Sequence, residues 1–370
     1  MKEVWELNLK NDVENLLNLL RDKSNKFKFS PTTIGATELG NELTLGFSCY
    51  ALKCQYMTGF WEKLDNKTQI EWSNYINSFQ QNHDGLPNNS YIDDTLLNFY
   101  STKINNYSVK NSIKKILKFL KISDRRTSED YFIDSIRAES KQAISTLYQV
   151  GFSNDKKYND FPKTESSINT YLNSLNWKKP WNAGAQYSAL CVFTSTQLDT
   201  NQKEENEAIL YNFLDKVLNN ETGFYHTNSA INQNEKINGA MKVITGLDWI
   251  NKPIHKPEQI IDFCLSISPE SEGCDIVDLV YVLYRSCIQS NYKKSEVISY
   301  LNGLKKIIKT NYHNGLGFSY YEDKSQVEYY GMQITQGLNY PDIHGTTLLL
   351  WALTMIYSIQ GSSEFNVIKP

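Results

Sequence analysis

The chain has 370 residues, 40% of them hydrophobic and 21% charged, a globular balance that excludes a disordered chain. A formal charge of -3 with no basic stripe argues against nucleic acid as a partner. No run approaches the roughly 18 apolar residues of a membrane span. Met1-Lys-Glu-Val-Trp-Glu6 lacks the apolar core of an export signal, so the expectation is a cytoplasmic protein with no transmembrane segment.

The length favours two domains or one large closed fold. The six cysteines (Cys49, Cys54, Cys191, Cys264, Cys274, Cys287) show no paired spacing, and several lie in apolar helical runs as small hydrophobes.

In chain order, the pattern is helical with little strand alternation. An amphipathic helix opens the chain on Val13, Leu16, Leu17 and Leu20. A unit then recurs: an apolar helix with small residues, a loop, a more charged amphipathic helix, and a Gly-aromatic turn. The first unit starts at Gly46-Phe-Ser-Cys-Tyr50, continues through Gln69–Phe79 and turns at Asp84-Gly-Leu86. An extra outer helix is predicted around 101–121, on Ile113, Ile116, Leu117 and Leu120. The second unit opens at Arg137-Ala-Glu-Ser140 and closes after Ile168–Leu175 at Trp177. The third runs from Trp181-Asn-Ala-Gly-Ala-Gln186 through Glu204–Leu218 to Thr222-Gly-Phe-Tyr225. The fourth starts at Asn238-Gly-Ala-Met-Lys242 and, after Ile260–Leu265, ends at Glu272-Gly-Cys274. The fifth starts at Asp275 and, after Val297–Ile308, ends at Asn314-Gly-Leu-Gly-Phe318; a sixth apolar helix, Gly345–Ile359, closes the series.

Recurrence at about 40–50 residues marks helical-hairpin arrays. An open solenoid would show polar caps and a regular consensus, and neither stands out. The expectation is therefore all-α: one domain over 1–370, an (α/α)6 toroid or six-helical-hairpin barrel. Its inner helices, buried on every side, would be apolar all round.

Polar residues at the starts of those inner helices are the candidate site. Asp275 and Asp278 are three apart and share a helix face. Helix capping explains Asp275 as well as a cavity role does; Asp278 falls a turn further in, where burial would raise its pKa toward acid work. Asp342 follows Pro341 and suits an N-cap, which leaves His344 as the residue for proton transfer. Arg137, Glu139, Lys141 and Gln142 read either as a solvated face or as cavity residues. Trp181, Gln186, Asn238 and Lys242 hold comparable positions in the third and fourth units. An arginine, a lysine and several amides around one mouth suit an anion or a hydroxyl-rich ligand. Trp181 and a cluster of Tyr320, Tyr321, Tyr329 and Tyr330 could stack on sugar faces, shelter positive charge, or simply fill the core.

The hairpins ending in Gly-aromatic turns resemble the terpenoid cyclase and protein prenyltransferase α/α-toroid superfamily. The local likeness is to the prenyltransferase β subunit, through Gly273-Cys274, Val277-Asp278 and Tyr281, followed by Asp342, His344 and Thr346. Tyr91-Ile-Asp-Asp-Thr95 resembles the acid motif of class II terpene cyclases, with Tyr91 in place of its first aspartate. Such a motif is also an ordinary helix start. One departure matters: where the β subunit has a zinc-binding cysteine, this chain has Val280, and Asp278 with His344 would leave zinc short of protein ligands. No metal and no cofactor are expected.

The resemblance implies an acid-initiated cyclase or a prenyl-transferring enzyme. Asp278 or Asp93 would supply the proton, and His344 with Asp342 would tune or remove it. The rival expectation is a carbohydrate-active toroid, a lyase, epimerase or hydrolase of glycan metabolism inside the cell. There Asp278 and His344 would be acid and base, while Arg137 and Lys242 held a carboxylate or phosphate. A third is a non-catalytic module binding a small molecule or glycan. Oligomeric state is left open.

Overall fold

The computed structural model describes residues 3–106, 127–228, 231–268 and 273–370, and it is mostly helical with a few short strands. Fourteen α-helices lie among the described residues: α1 (Val4–Leu20), α2 (Glu38–Glu42), α3 (Leu45–Thr58), α4 (Asn66–Asn77), α5 (Asp94–Asn106), α6 (Ser128–Gln149), α7 (Glu165–Ser174), α8 (Pro180–Gln197), α9 (Thr200–Phe213), α10 (Gln233–Trp249), α11 (Pro257–Leu265), α12 (Gly273–Gln289), α13 (Lys294–Thr310) and α14 (Ile343–Ile359). Residues 107–121 of the expected outer helix lie outside the described residues; 101–106 belong to α5.

Side-chain oxygens set many of the starts. Asp65 accepts the Thr68 amide at 2.8 Å, Asp199 the Gln202 amide at 3.0 Å, and Asn232 the Glu235 amide at 2.7 Å, each satisfying an orphan N–H of the first turn. Pro180 and Pro257 occupy first-turn positions, where a missing N–H costs nothing.

Six of these helices pack in series. Helix α3 lies against α6, α6 against α8, α8 against α10, α10 against α12, α12 against α14, and α14 returns to α3. Each is buried around most of its circumference; nearly every residue of α3 and α14 is inaccessible, although α3 retains Lys53 in its interior. The more charged helices cover them: α4 packs on α3, α9 on α8, α11 on α12, and α13 on both α12 and α14. Helix α1 buries Leu9, Val13, Leu16, Leu17 and Leu20 against α3 and α14, so the N-terminal helix covers the last apolar one.

Two starts differ from expectation: helix α10 begins at Gln233 behind its Asn232 cap, five residues before Asn238, and α6 differs more. Helix α6 begins at Ser128 behind a capping box between Thr127 and Asp130, so Arg137 and Glu139 lie inside the helix and not at its mouth.

Among the described residues there are also three antiparallel hairpins of two-residue strands: β1 (Gln80–Gln81) with β2 (Ser90–Tyr91), β3 (Tyr312–His313) with β4 (Gly317–Phe318), and β5 (Glu328–Tyr329) with β6 (Met332–Gln333). Tyr329 pairs with Met332, leaving Tyr330-Gly331 as a two-residue loop with φ of 47° and 76°. Both angles are positive, as a type I′ turn requires. For a tyrosine that conformation is strained, and strain of this kind gathers at functional sites.

Candidate functional site

A cavity of about 700 Å³ opens among five of the six packed helices, α12 not contributing to its lining. Its walls come from α3, α5, α6, α8, α10 and α14, from the Tyr330-Gly331 turn, and from Ile368 and Pro370.

Close backbone approach sets the wall between α8 and α10. A Cβ on Gly184 would meet the Gly239 carbonyl oxygen at 2.9 Å, and one on Gly239 would meet Pro180 at 2.5 Å. With both positions glycine, α8 can sit hard against α10 and Lys242 projects beside it. Trp181, one residue into α8 and 55% exposed, stands at the rim.

Lysine dominates the polar lining. Lys53 from α3, Lys141 from α6 and Lys242 from α10 all face the cavity, and among the described residues none of them makes an ion pair. Arg137 is already neutralised, with its Nη1 donating to Asp134 at 2.9 Å and to Gln186 Oε1 at 3.4 Å. Burial first, then the neighbouring charges of Lys242 and Lys53, pulls the Lys141 amine down to about 7. Burial also lowers Lys53.

His344 stacks on Tyr50, ring centroids 4.5 Å apart, and its Nδ1 meets Gln326 Oε1 at 2.9 Å. The amide oxygen accepts, so Nδ1 carries the proton and Nε2 is left as an acceptor. Burial, reinforced by Lys242 and Lys53, depresses the imidazole to about 3 and keeps it neutral. Asp342 organises this corner without lining it. Its Oδ1 caps α14 through the Gly345 amide at 2.7 Å, and its Oδ2 takes the Tyr320 and Gln326 amides at 2.7 and 3.1 Å. Burial raises its carboxyl to about 6 against the pull of those donors.

Glu139 lies behind the cavity wall, completely buried. Its Oε1 accepts the Tyr329 hydroxyl, and Oε2 has no hydrogen-bond partner among the described residues. Burial lifts the carboxyl to about 8, so it is a neutral acid at pH 7. Gly46 makes this possible: a Cβ there would fall 2.4 Å from the Tyr329 hydroxyl.

Of the residues singled out in the sequence, Arg137, Lys141, Gln142, Trp181, Gln186, Lys242, Tyr330 and His344 line one cavity. The others do not. Asp278 is buried on α12, where burial, opposed by Lys242, raises it to about 7. Between it and His344 stands Tyr320, whose ring is 5.4 Å from the imidazole and whose hydroxyl meets Cys274 on α12. Asp275 accepts from Asn234 and Asn238 at 3.2 and 3.0 Å, tying α12 to α10. Asp93 holds the start of α3, its Oδ2 taking the Thr44 and Leu45 amides at 2.8 and 2.9 Å while Oδ1 takes the Thr95 amide at 3.0 Å.

Lys53 is not among the residues singled out in the sequence, and Lys141 reads there either as part of a solvated face or as a cavity residue. Lys53 did leave a signal, a single charge inside an otherwise apolar helix. Among the described residues no group of three or more His, Cys, Asp or Glu side chains is placed to hold a metal ion. No described helix is long and apolar enough to cross a membrane. Comparison with protein-family models finds no match, and comparisons with curated proteins and with solved structures find none either.

Proposed function

We propose that this chain is an enzyme with an (α/α)6 toroid fold whose central cavity holds a small organic anion, a sugar acid or sugar phosphate, for acid–base chemistry. What supports the fold reading is the packing series that leaves α3 and returns to it through α14. The observation that carries the functional reading is the set of three lysines, Lys53, Lys141 and Lys242, that line one space and make no ion pair among the described residues. Buried like charges repel, and they are retained where a ligand neutralises them. The neutral imidazole of His344 supplies an acceptor beside them, the phenol of Tyr330 a donor, and the protonated Glu139 a store of protons behind the wall. Amides of Gln142 and Asn182 suit hydroxyl groups.

A second reading has its own support. Met241, Leu348, Trp351 and Ile368 form an apolar stretch of the same lining, which suits the chain of a prenyl diphosphate and accords with the sequence resemblance. Asp93 is then a poor choice of acid, because its oxygens are taken up by backbone donors at two helix starts.

Thermal unfolding with uronates, sugar phosphates and prenyl diphosphates tests the reading. A true ligand at 100 times its dissociation constant stabilises by about 2.7 kcal/mol. A sugar anion that raises the midpoint, with turnover detected by product analysis, is the expected result. Binding without turnover makes the chain a binding module, and indifference to every anion removes the proposal.

A further inference from the structure

We infer that the group seated among Lys53, Lys141 and Lys242 is a doubly charged tetrahedral anion of the phosphate type. The inference rests on the anion reading above and says which anion.

Charge is the first argument. Besides the three lysines, Lys103 at the rim and Asp278, which faces Lys242 from α12 and is raised by burial to about 7, the ionisable groups around the cavity contribute little. Arg137 is cancelled by Asp134, burial keeps His344 neutral, and Glu139 stays protonated at pH 7. The Cys191 thiol from α8 and the phenols of Tyr50 and Tyr330 are all pushed upward by burial and are uncharged. Lys103, on α5 at the rim, lies over the rings of Phe99 and Tyr100. Against three ammonium groups a single carboxylate would leave two positive charges uncompensated, a dianion one.

Shape is the second. Three ammonium groups from three helices, α3, α6 and α10, approach one space from different sides. Phosphate offers three strong acceptor oxygens, whereas a carboxylate is planar and favours the forked guanidinium, which here is already engaged with Asp134. The organic part of such a ligand would lie along Met241, Leu348 and Trp351.

Proton linkage follows. Burial and the charges of Lys242 and Lys53 hold Lys141 near 7. A dianion placed among the three lysines reverses that repulsion and raises the Lys141 pKa, so binding above pH 7 must draw in a proton. Affinity should then fall with rising pH, by up to about tenfold per unit for one proton.

Sulfate is a suitable probe, because it is a tetrahedral dianion that does not titrate near neutrality; glucuronate serves as the monoanion. Calorimetric titration in two buffers of different ionisation heat counts the protons exchanged. Sulfate should bind more tightly than glucuronate, take up close to one proton at about pH 8, and take up almost none at about pH 5.5, where Lys141 is already charged. Lys141→Met should abolish the uptake; should that variant fail to fold, the wild-type pH series decides alone. Sulfate binding that is independent of pH and exchanges no proton overturns the inference while leaving the anion reading intact. Preference for glucuronate does the same. If neither anion binds, both fall.

Discussion

Replacing Glu139 by glutamine should make the protein more stable at neutral pH. Glu139 is completely buried, and burial lifts its carboxyl from an ordinary 4.5 to about 8. In the unfolded chain the group ionises above about pH 4.5, while the folded chain keeps it protonated until about 8. Its contribution to stability is thus fully present below the unfolded value and is lost as the pH rises toward the folded one. The loss is about 1.4 kcal/mol per pH unit across that window. By pH 7 it amounts to about 3 kcal/mol. Glutamine is nearly isosteric, does not ionise, and can still accept the Tyr329 hydroxyl through its amide oxygen. Urea unfolding of the two proteins should give nearly equal stabilities at about pH 5 and a gap in favour of Glu139→Gln that widens to about 3 kcal/mol at pH 7. Parallel stability curves over that range would refute the reasoning, since they would mean that Glu139 is ionised in the folded protein. A buried acid kept at such a cost is expected where activity, not stability, retains it.

Asp278→Asn should behave similarly on a smaller pH window, because burial raises this carboxyl from 3.8 to about 7; the melting temperature should hold or rise at pH 7, as scanning calorimetry would show. Gly345→Ala should destabilise by about 3 kcal/mol in the same assay. Its Cβ would fall 2.3 Å from the Tyr320 amide nitrogen and 2.5 Å from the Ser319 carbonyl carbon, and backbone cannot yield as a flexible side chain can. Trp181→Ala should leave stability within about 0.5 kcal/mol, since the indole is 55% exposed, yet weaken binding of any sugar anion found in the thermal screen. Unchanged affinity would remove Trp181 from the site.

Much of the helical framework was legible in the residues themselves. Apolar runs such as Gly345–Ile359 report burial on all sides, and Asp65, Asp199 and Asp342 announce helix starts because short side-chain acceptors satisfy first-turn amides locally. The start of α6 was misjudged, because Ser128–Ile136 is polar enough to pass for loop until the Thr127–Asp130 capping box is seen in place. The Tyr330-Gly331 turn gave little warning, since tyrosine seldom adopts positive φ; the β5–β6 pairing and the Tyr100 hydroxyl donating to the Tyr330 carbonyl at 2.9 Å hold it there.

For the candidate site the division is sharper. Residue chemistry alone singled out Arg137, Trp181, Gln186, Lys242, Tyr330 and His344, because polar side chains in otherwise apolar helices are costly and conspicuous. Which of the carboxylates would face the cavity could not be read the same way. Asp275, Asp278, Asp342 and Glu139 occupy similar sequence contexts, yet each was assigned its partners by helix rotation and by close approaches such as Gly184 on Gly239 and Gly46 under Tyr329. Tertiary structure alone also gathered Lys53, Lys141 and Lys242 into one space. The three lie on different helices far apart in the chain, and periodicity within a helix carries no information about which face of a distant helix it will meet.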